Sequence, residues 1–464
     1  MLRRRILHKI FTNFQKPCYY LNDFRIYYLF NLIFANSKTK KEGMIVFKFG
    51  GASVKDAAAV ENVAGIIRRF PNKKMVVVVS AMGKTTNALE EVINAYWNHS
   101  TELEQKIKDL EAYHETIITN LFGEKEVGVQ AEIAKVFNGL REKCSQDPSD
   151  NYHFEYDQIV SLGEVISTKL VHAYLSKNGL ETRWLDARKL IRTNDTWREG
   201  KVNWEKTTEN VQKVFSENET QISIIQGFLG HTAEGFTTTL GREGSDFTAA
   251  IMAYALNAES VTIWKDVPGM LNADPKWFDN TVLLEKISFK EAIELAYYGA
   301  SVIHPKTIQP LKRKNIPLYV KSFVDPEATG TVIQESSEQD AFIPSFIFKM
   351  DQVLVSLSPK DLSFIIEENL EDIFSYLNRE NIRMNLLQNS AVSFSFVVDK
   401  NKIDIDRVVA HFEKDYIVKY NDGLELVTIR HFDDPTLERV TKYKKIILEQ
   451  KTRETARIVM KDLV

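Results

Sequence analysis

From Met44 to about residue 335, short apolar runs alternate with segments of helical period. Strands are predicted at 45–49, 75–80, 182–185, 222–226, 261–265 and 318–320. Helices are predicted at 58–69, 87–98, 101–121, 164–177, 203–216, 248–256 and 289–298. The run Met75-Val76-Val77-Val78-Val79 is apolar throughout and rich in β-branched residues, as in a strand buried on both faces. Ser288, three residues before Glu291, supplies a capping-box start for the last of these helices. Strands alternating with helices predict an α/β fold with a mainly parallel sheet covered on both faces. Ligands of such sheets meet the carboxyl ends of the strands, so chemistry is sought in the residues that follow each strand.

After the polar stretch 335–340 the pattern changes. Strands are predicted at 352–358, 383–388, 393–398, 416–420, 425–431, 445–449 and 456–461, with helices at 370–378 and 405–413. Leu370, Ile373, Phe374 and Leu377 share one helical face. Strand–helix–strand–strand order points to ferredoxin-like α+β modules. The expected division is 44–335, then 341–400, then a shorter module at 401–464.

Composition changes this picture in one place. The whole chain is 44% hydrophobic with a net charge of −3, which argues against a general nucleic-acid binder. No apolar run is long enough to span a membrane. The two cysteines, Cys18 and Cys144, make neither a disulfide framework nor a four-cysteine zinc site, so a reducing, cytoplasmic setting is expected. The near-neutral average hides a basic, aromatic prefix: residues 1–43 carry nine Lys/Arg against two acids. The expected reading is that Met44 is the start and the prefix an upstream extension. An organellar transit peptide and a basic arm are the alternatives.

Several segments carry candidate chemistry. Lys48-Phe49-Gly50-Gly51 ends the first strand, where glycine amides and a lysine can approach an anion, although a plain strand-to-helix turn would use the same residues. Gly83-Lys84-Thr85 resembles a Walker A ending, but Val78 stands where that loop needs glycine. Ser80 still follows a buried strand. In Thr237-Thr238-Thr239-Leu240-Gly241-Arg242-Glu243-Gly244-Ser245-Asp246, Arg242 can grip a carboxylate and Asp246 can hold an ammonium, a pairing that suits an α-amino acid. Helix capping by Ser245 or Asp246 is the plainer reading. Lys265 and Asp266 close another strand, with Lys276 in the loop beyond; these lysines can neutralise phosphate. His304 reads as a packed or capping residue rather than a base. No zinc spacing, GxSxG or GxGxxG is present.

Taken together, KFGGAS at 48–53, SAMGKTTN at 80–87, SLGEVIST at 161–168, RTND at 192–195, TTLGREGSD at 238–246, WKDVPG at 264–269 and YYGASVIHP at 297–305 resemble the aspartate kinases of the amino-acid kinase superfamily. The resemblance implies a three-layer α/β/α kinase fold followed by ACT modules. It implies ATP-dependent phosphorylation of the side-chain carboxylate of L-aspartate, with magnesium on the ATP phosphates and no protein metal ligands identified. By resemblance, Lys48, Gly50, Gly51 and Ser80 surround the transferring phosphoryl group, with Asp246 beside them. Arg242 binds the α-carboxylate, Glu164 and Asp246 orient the substrate, and Thr86 and Ser245 add hydrogen bonds. Lys48, Gly51, Lys265, Asp266, Lys276 and Ser301 are the expected nucleotide contacts. Asn385, Gln388, Asn389 and Ser390 fall where relatives bind an amino-acid effector, and the ACT modules imply a homodimer.

Four positions depart from the pattern. Ser301 stands where many relatives carry a lysine near the nucleotide, for which Lys265 or Lys306 is expected to compensate. Glu243 replaces a common glycine, Leu271 a tyrosine found in some relatives, and Asn385 a common acid. The alternative function is another amino-acid kinase, acting on glutamate or N-acetylglutamate.

Overall fold

A computed structural model describes residues 43–463 apart from 124–126, 218–219, 279, 301, 336–339 and 341–342. The expectations for the basic prefix and for Ser301 lie outside the described residues. Strands β1 (Ile45–Phe49), β2 (Met75–Val79), β3 (Thr182–Leu185) and β4 (Ile222–Gln226) enter the main sheet. A short hairpin comes next, β5 (Leu229–His231) and β6 (Thr237–Thr239), and then β7 (Ser260–Lys265), β8 (Lys286–Ser288), β9 (Leu318–Ser322) and β10 (Thr331–Gln334). The sheet order is β3-β4-β2-β1-β7-β9-β10-β8, and only the β9/β10 pair is antiparallel.

Strand alternation sorts the apolar residues into two cores. Ile45, Phe47 and Phe49 of β1 and Met75, Val77 and Val79 of β2 face one core, while Val46, Val76 and Val78 face the other. The first core is covered by α1 (Ala57–Arg68), α2 (Thr85–Trp97), α3 (Leu103–Phe122), α4 (Val127–Cys144), α5 (Tyr152–Val160) and α6 (Leu162–Lys177). The second lies under α7 (Trp204–Ser216), α8 (Gly244–Leu256), α9 (Phe289–Tyr298) and α10 (Pro305–Arg313). Helix α8 is buried on nearly every side, and Ala249, Ala250, Ala253 and Ala255 let it lie close to the sheet. It begins at Gly244 rather than at residue 248, so Gly244, Ser245 and Asp246 form its first turn. Helix α5 falls outside the sequence reading because its buried positions include Glu155 and Asp157, which break the apolar period. His304 caps α10 by accepting from the Lys306 amide at 3.1 Å, the plain role expected of it.

The C-terminal part holds β11 (Ser345–Pro359), α11 (Glu367–Arg379), β12 (Leu386–Ser390), β13 (Ser393–Asp399), α12 (Ile405–Phe412), β14 (Tyr416–Arg430), α13 (Asp434–Thr441), β15 (Lys444–Lys451) and β16 (Thr455–Asp462). Its strands form one six-stranded sheet, ordered β12-β13-β11-β14-β16-β15. The segments 416–420 and 425–431, read from sequence as separate strands, lie largely within one fifteen-residue strand. Register shifts near Gln352 bend the β11/β14 pair, so each strand serves two packing units. Val408 and Phe412 of α12 share a core with Val353, Phe394 and Ile373, across the expected cut at residue 400. The resulting unit runs β11-α11-β12-β13-α12-β14, a ferredoxin-like order. The first half of β11 and the second half of β14 join α13, β15 and β16 around Phe346, Val427, Ile458 and Leu437.

A buried ion pair joins this sheet to α9, which covers the main one. Arg430 of β14 donates to both oxygens of Glu291 on α9, at 2.6 and 3.2 Å, and to Thr455 Oγ1 at 2.6 Å. Burial works to raise the Glu291 carboxyl, but His431 and Arg430 outweigh it and hold it below the ordinary value. Removing one partner strands a buried charge, whereas replacing both with apolar residues does not. Arg430→Ala is expected to cost about 3 kcal/mol or more. Arg430→Met combined with Glu291→Leu should recover most of that loss. Chemical denaturation of the three proteins checks this, and a neutral Arg430→Ala would contradict it.

Candidate active site

The parallel strands β1, β2, β4 and β7 end on one side of the sheet, and a cleft of roughly 700 Å³ opens there. Lys48, Ser80, Thr86, Glu164, Arg242, Ser245, Asp246 and Lys265, all singled out in the sequence, line this cleft. Thr239, from the motif at 238–246, lines it too, as do Tyr156, Trp197, Arg198 and Phe228, which no sequence signal selected.

Asp246 occupies the first turn of α8 and is 1% exposed. Lys48 Nζ from β1 lies 2.6 Å from its Oδ1, and Lys265 Nζ from β7 lies 3.4 Å from its Oδ2. Lys265 also donates to the Val302 carbonyl. Burial pushes the Asp246 carboxyl up, but the charges of Lys48 and Lys265 prevail and hold it below the usual carboxylate value. Two cations are thereby fixed side by side at the strand ends.

Gly50 and Gly51 form the turn behind Lys48. A Cβ on Gly51 would lie 2.8 Å from the Ala81 carbonyl and 2.9 Å from that of Gly83, so glycine permits the loop after β2 to close on the loop after β1. Gly227 likewise lets Ser245 approach the end of β4, where a Cβ would lie 2.4 Å from it. Glu243, immediately before α8, has φ +54°, a left-handed conformation that suits glycine and that a side chain rarely adopts.

Glu164 is buried near the start of α6. Its Oε1 accepts a long bond of 3.4 Å from the Ala81 amide, and its Oε2 has no hydrogen-bond partner among the described residues. Burial pushes its carboxyl up to about 8, opposed by the Ala81 amide and the charge of Lys48. Burial thus favours the neutral form of this carboxyl.

Asp266 and Lys276 lie elsewhere. Both are exposed on the segment after β7, and the Lys276 amide donates to Asp274 Oδ1 at 2.9 Å. In the C-terminal sheet Asn385 faces inward: its Oδ1 accepts from Lys349 Nζ at 2.7 Å, and its Nδ2 donates to Gln352 and to Asp399 at 2.8 Å each. Gln388, Asn389 and Ser390 are exposed on the edge strand β12.

The amino acid kinase family profile matches residues 43–322. A chloroplastic aspartokinase 3 of Arabidopsis thaliana is 33% identical over 436 residues, covering 90% of this chain and 75% of its own. The lysine-sensitive aspartokinase 3 of Escherichia coli is 33% identical over 359 residues, covering 77% and 78%. This chain belongs to the aspartokinases, within the amino acid kinase family. The crystal structure of E. coli aspartokinase III in complex with aspartate and ADP superposes with a TM-score of 0.75 at 27% identity, covering 90% of this chain and 96% of that one. The aspartokinase architecture thus spans both the kinase sheet and the C-terminal sheet of this chain.

Glu164 makes this aspartokinase cleft sensitive to pH. Below about pH 4.5 the carboxyl is protonated in the folded and unfolded chains alike. Between that value and about 8, only the folded chain keeps the proton, so its contribution to stability falls as pH rises through this window. Glu164→Gln should flatten this decline. Melting temperatures of both proteins across the window check it, and parallel curves would contradict the assignment.

Proposed function

We propose that this chain is an ATP:L-aspartate 4-phosphotransferase, and the observation that carries the reading is the Asp246 carboxylate holding Lys48 and Lys265 in a cleft that also contains Arg242 and Glu164. The aspartate side chain is already ionised at neutral pH, so the acceptor needs no general base. Its oxygen attacks the γ-phosphorus of ATP in line, the bond to the bridging oxygen breaks, and ADP leaves with 4-phospho-L-aspartate as the other product. The barrier is repulsion between two anions, which Lys48, Lys265 and the amides of Gly50 and Gly51 offset. Ser80 lies at the same end. Arg242 takes the α-carboxylate, with Thr86 and Ser245 beside it. The substrate ammonium meets the free Oε2 of Glu164, which ionises as it binds.

Lys265 supplies the cation that the kinase resemblance expects at position 301. Asp266 and Lys276 are assigned to the outer part of the nucleotide. Among the described residues no group of three His, Cys, Asp or Glu could hold a metal ion. Magnesium therefore enters this reading on the ATP phosphates, where it shields charge, and no step is routed through a protein-bound ion. N-acetylglutamate has no ammonium for Glu164, which favours aspartate over that alternative.

The chain acts in the cytoplasm and pairs as a homodimer through its C-terminal sheet, of which β12 is an edge strand. An amino-acid effector at Asn385 would have to displace Lys349.

ATP-dependent hydroxamate formation with aspartate, glutamate and N-acetylglutamate in parallel tests the reading. Aspartate alone should give strong turnover. Lys48→Ala should lower kcat by roughly 100-fold or more while aspartate still binds. Strong turnover of another acceptor, or near-normal turnover by Lys48→Ala, would contradict it.

A further inference from the structure

We propose that Arg198 is a second substrate arginine, joining Arg242 on the α-carboxylate of aspartate; this rests on the aspartate kinase reading above. Arg198 belongs to the loop between β3 and α7 and lines the same cleft as Arg242 and Lys48. Its backbone amide donates to Asp157 Oδ2 at 2.9 Å, and its guanidinium lies 4.1 Å from the centroid of the Tyr156 ring. Among the described residues no carboxylate forms an ion pair with that guanidinium, so its charge is available to a ligand.

Asp157 is completely buried, and it also accepts from the Thr239 amide at 3.0 Å and from Thr239 Oγ1 at 2.7 Å. One carboxylate thus ties the Arg198 loop to the strand that leads into Arg242. The two loops also touch through backbone, since a Cβ on Gly241 would come within 3.1 Å of the Arg198 carbonyl. Arg198 therefore sits beside the residue that precedes Arg242.

The backbone at Arg198 is held in a conformation that disfavours a side chain, with φ +66°. Glycine would fit there without strain. A bulky cation kept in such a place, while its neighbours fix both amide and guanidinium, points to a role for the guanidinium itself. Orientation decides which group it meets. Lys48, Asp246 and Lys265 mark the phosphoryl end, so the acceptor carboxylate faces them and the α-carboxylate faces the loops with the two arginines. Resting on Tyr156, Arg198 loses little freedom on binding.

The test is steady-state kinetics and calorimetric binding with L-aspartate and with its α-amide, for the wild type, R198G and R198K. R198G removes the guanidinium and relieves the backbone, and its melting transition checks the fold; R198Q makes the same comparison if R198G does not melt cooperatively. The expected result is that KM and Kd for aspartate rise about tenfold or more in R198G. KM for ATP stays unchanged, the loss with the α-amide is much smaller, and R198K recovers part of the affinity. Unchanged aspartate affinity in R198G would overturn the proposal alone. An equal loss with both substrates would also overturn it, because a purely structural role acts on both. A wild type that does not phosphorylate aspartate would overturn the parent reading and this one with it.

Discussion

A buried carboxylate is costly as an ion unless cations stand against it, and in this chain that requirement organises the site. Asp246 stays ionised because Lys48 reaches it from one strand and Lys265 from the next. The attraction works in both directions. The two ammonium groups would repel each other at the end of the sheet, and the carboxylate between them makes their proximity stable before any phosphate arrives. Chemistry in the cleft depends on this arrangement, since a second anion can be brought to an anionic nucleotide only where positive charge is already in place.

The rest of the fold holds that triad in position. Lys48 and Lys265 sit on neighbouring parallel strands whose register pairs Lys48 with Ile263 and Phe49 with Trp264. Small residues let α8 lie close against the sheet, which brings its first turn, and Asp246, to the strand ends. Asp157 gathers three donors, one from the Arg198 loop and two from Thr239 of β6, and so ties together two segments that line the cleft. Arg430 and Glu291 then fasten the C-terminal sheet to α9 through a buried ion pair.

Much of this is legible in the sequence. The strands of the main sheet are short apolar runs, with Lys48, Ser80 and Lys265 at or just beyond their ends, while Arg242 and Asp246 follow the hairpin strand β6, all in motifs with distinctive chemistry. The features that escape do so for physical reasons. Asp157 lies on a helix whose apolar period it breaks, and its partners Arg198 and Thr239 are 41 and 82 residues away. Tyr156 matters through its ring face, which no spacing rule marks. Gly244, Ser245 and Asp246 read as loop, yet they form the first turn of α8, where Gly244 lies so close to Phe228 that a Cβ would come within 2.6 Å of its ring. In the C-terminal part a bent strand contributes to two packing units, so divisions drawn along the chain do not match the cores.

Asp246 holds the two lysines in the arrangement that phosphoryl transfer requires. The most direct test is kcat for aspartate phosphorylation by Asp246→Asn, in protein whose cooperative melting transition shows that it is folded. A fall of roughly 100-fold or more is expected, because the amide keeps the shape and loses the charge that binds both ammonium groups. A kcat near that of the wild type would contradict it.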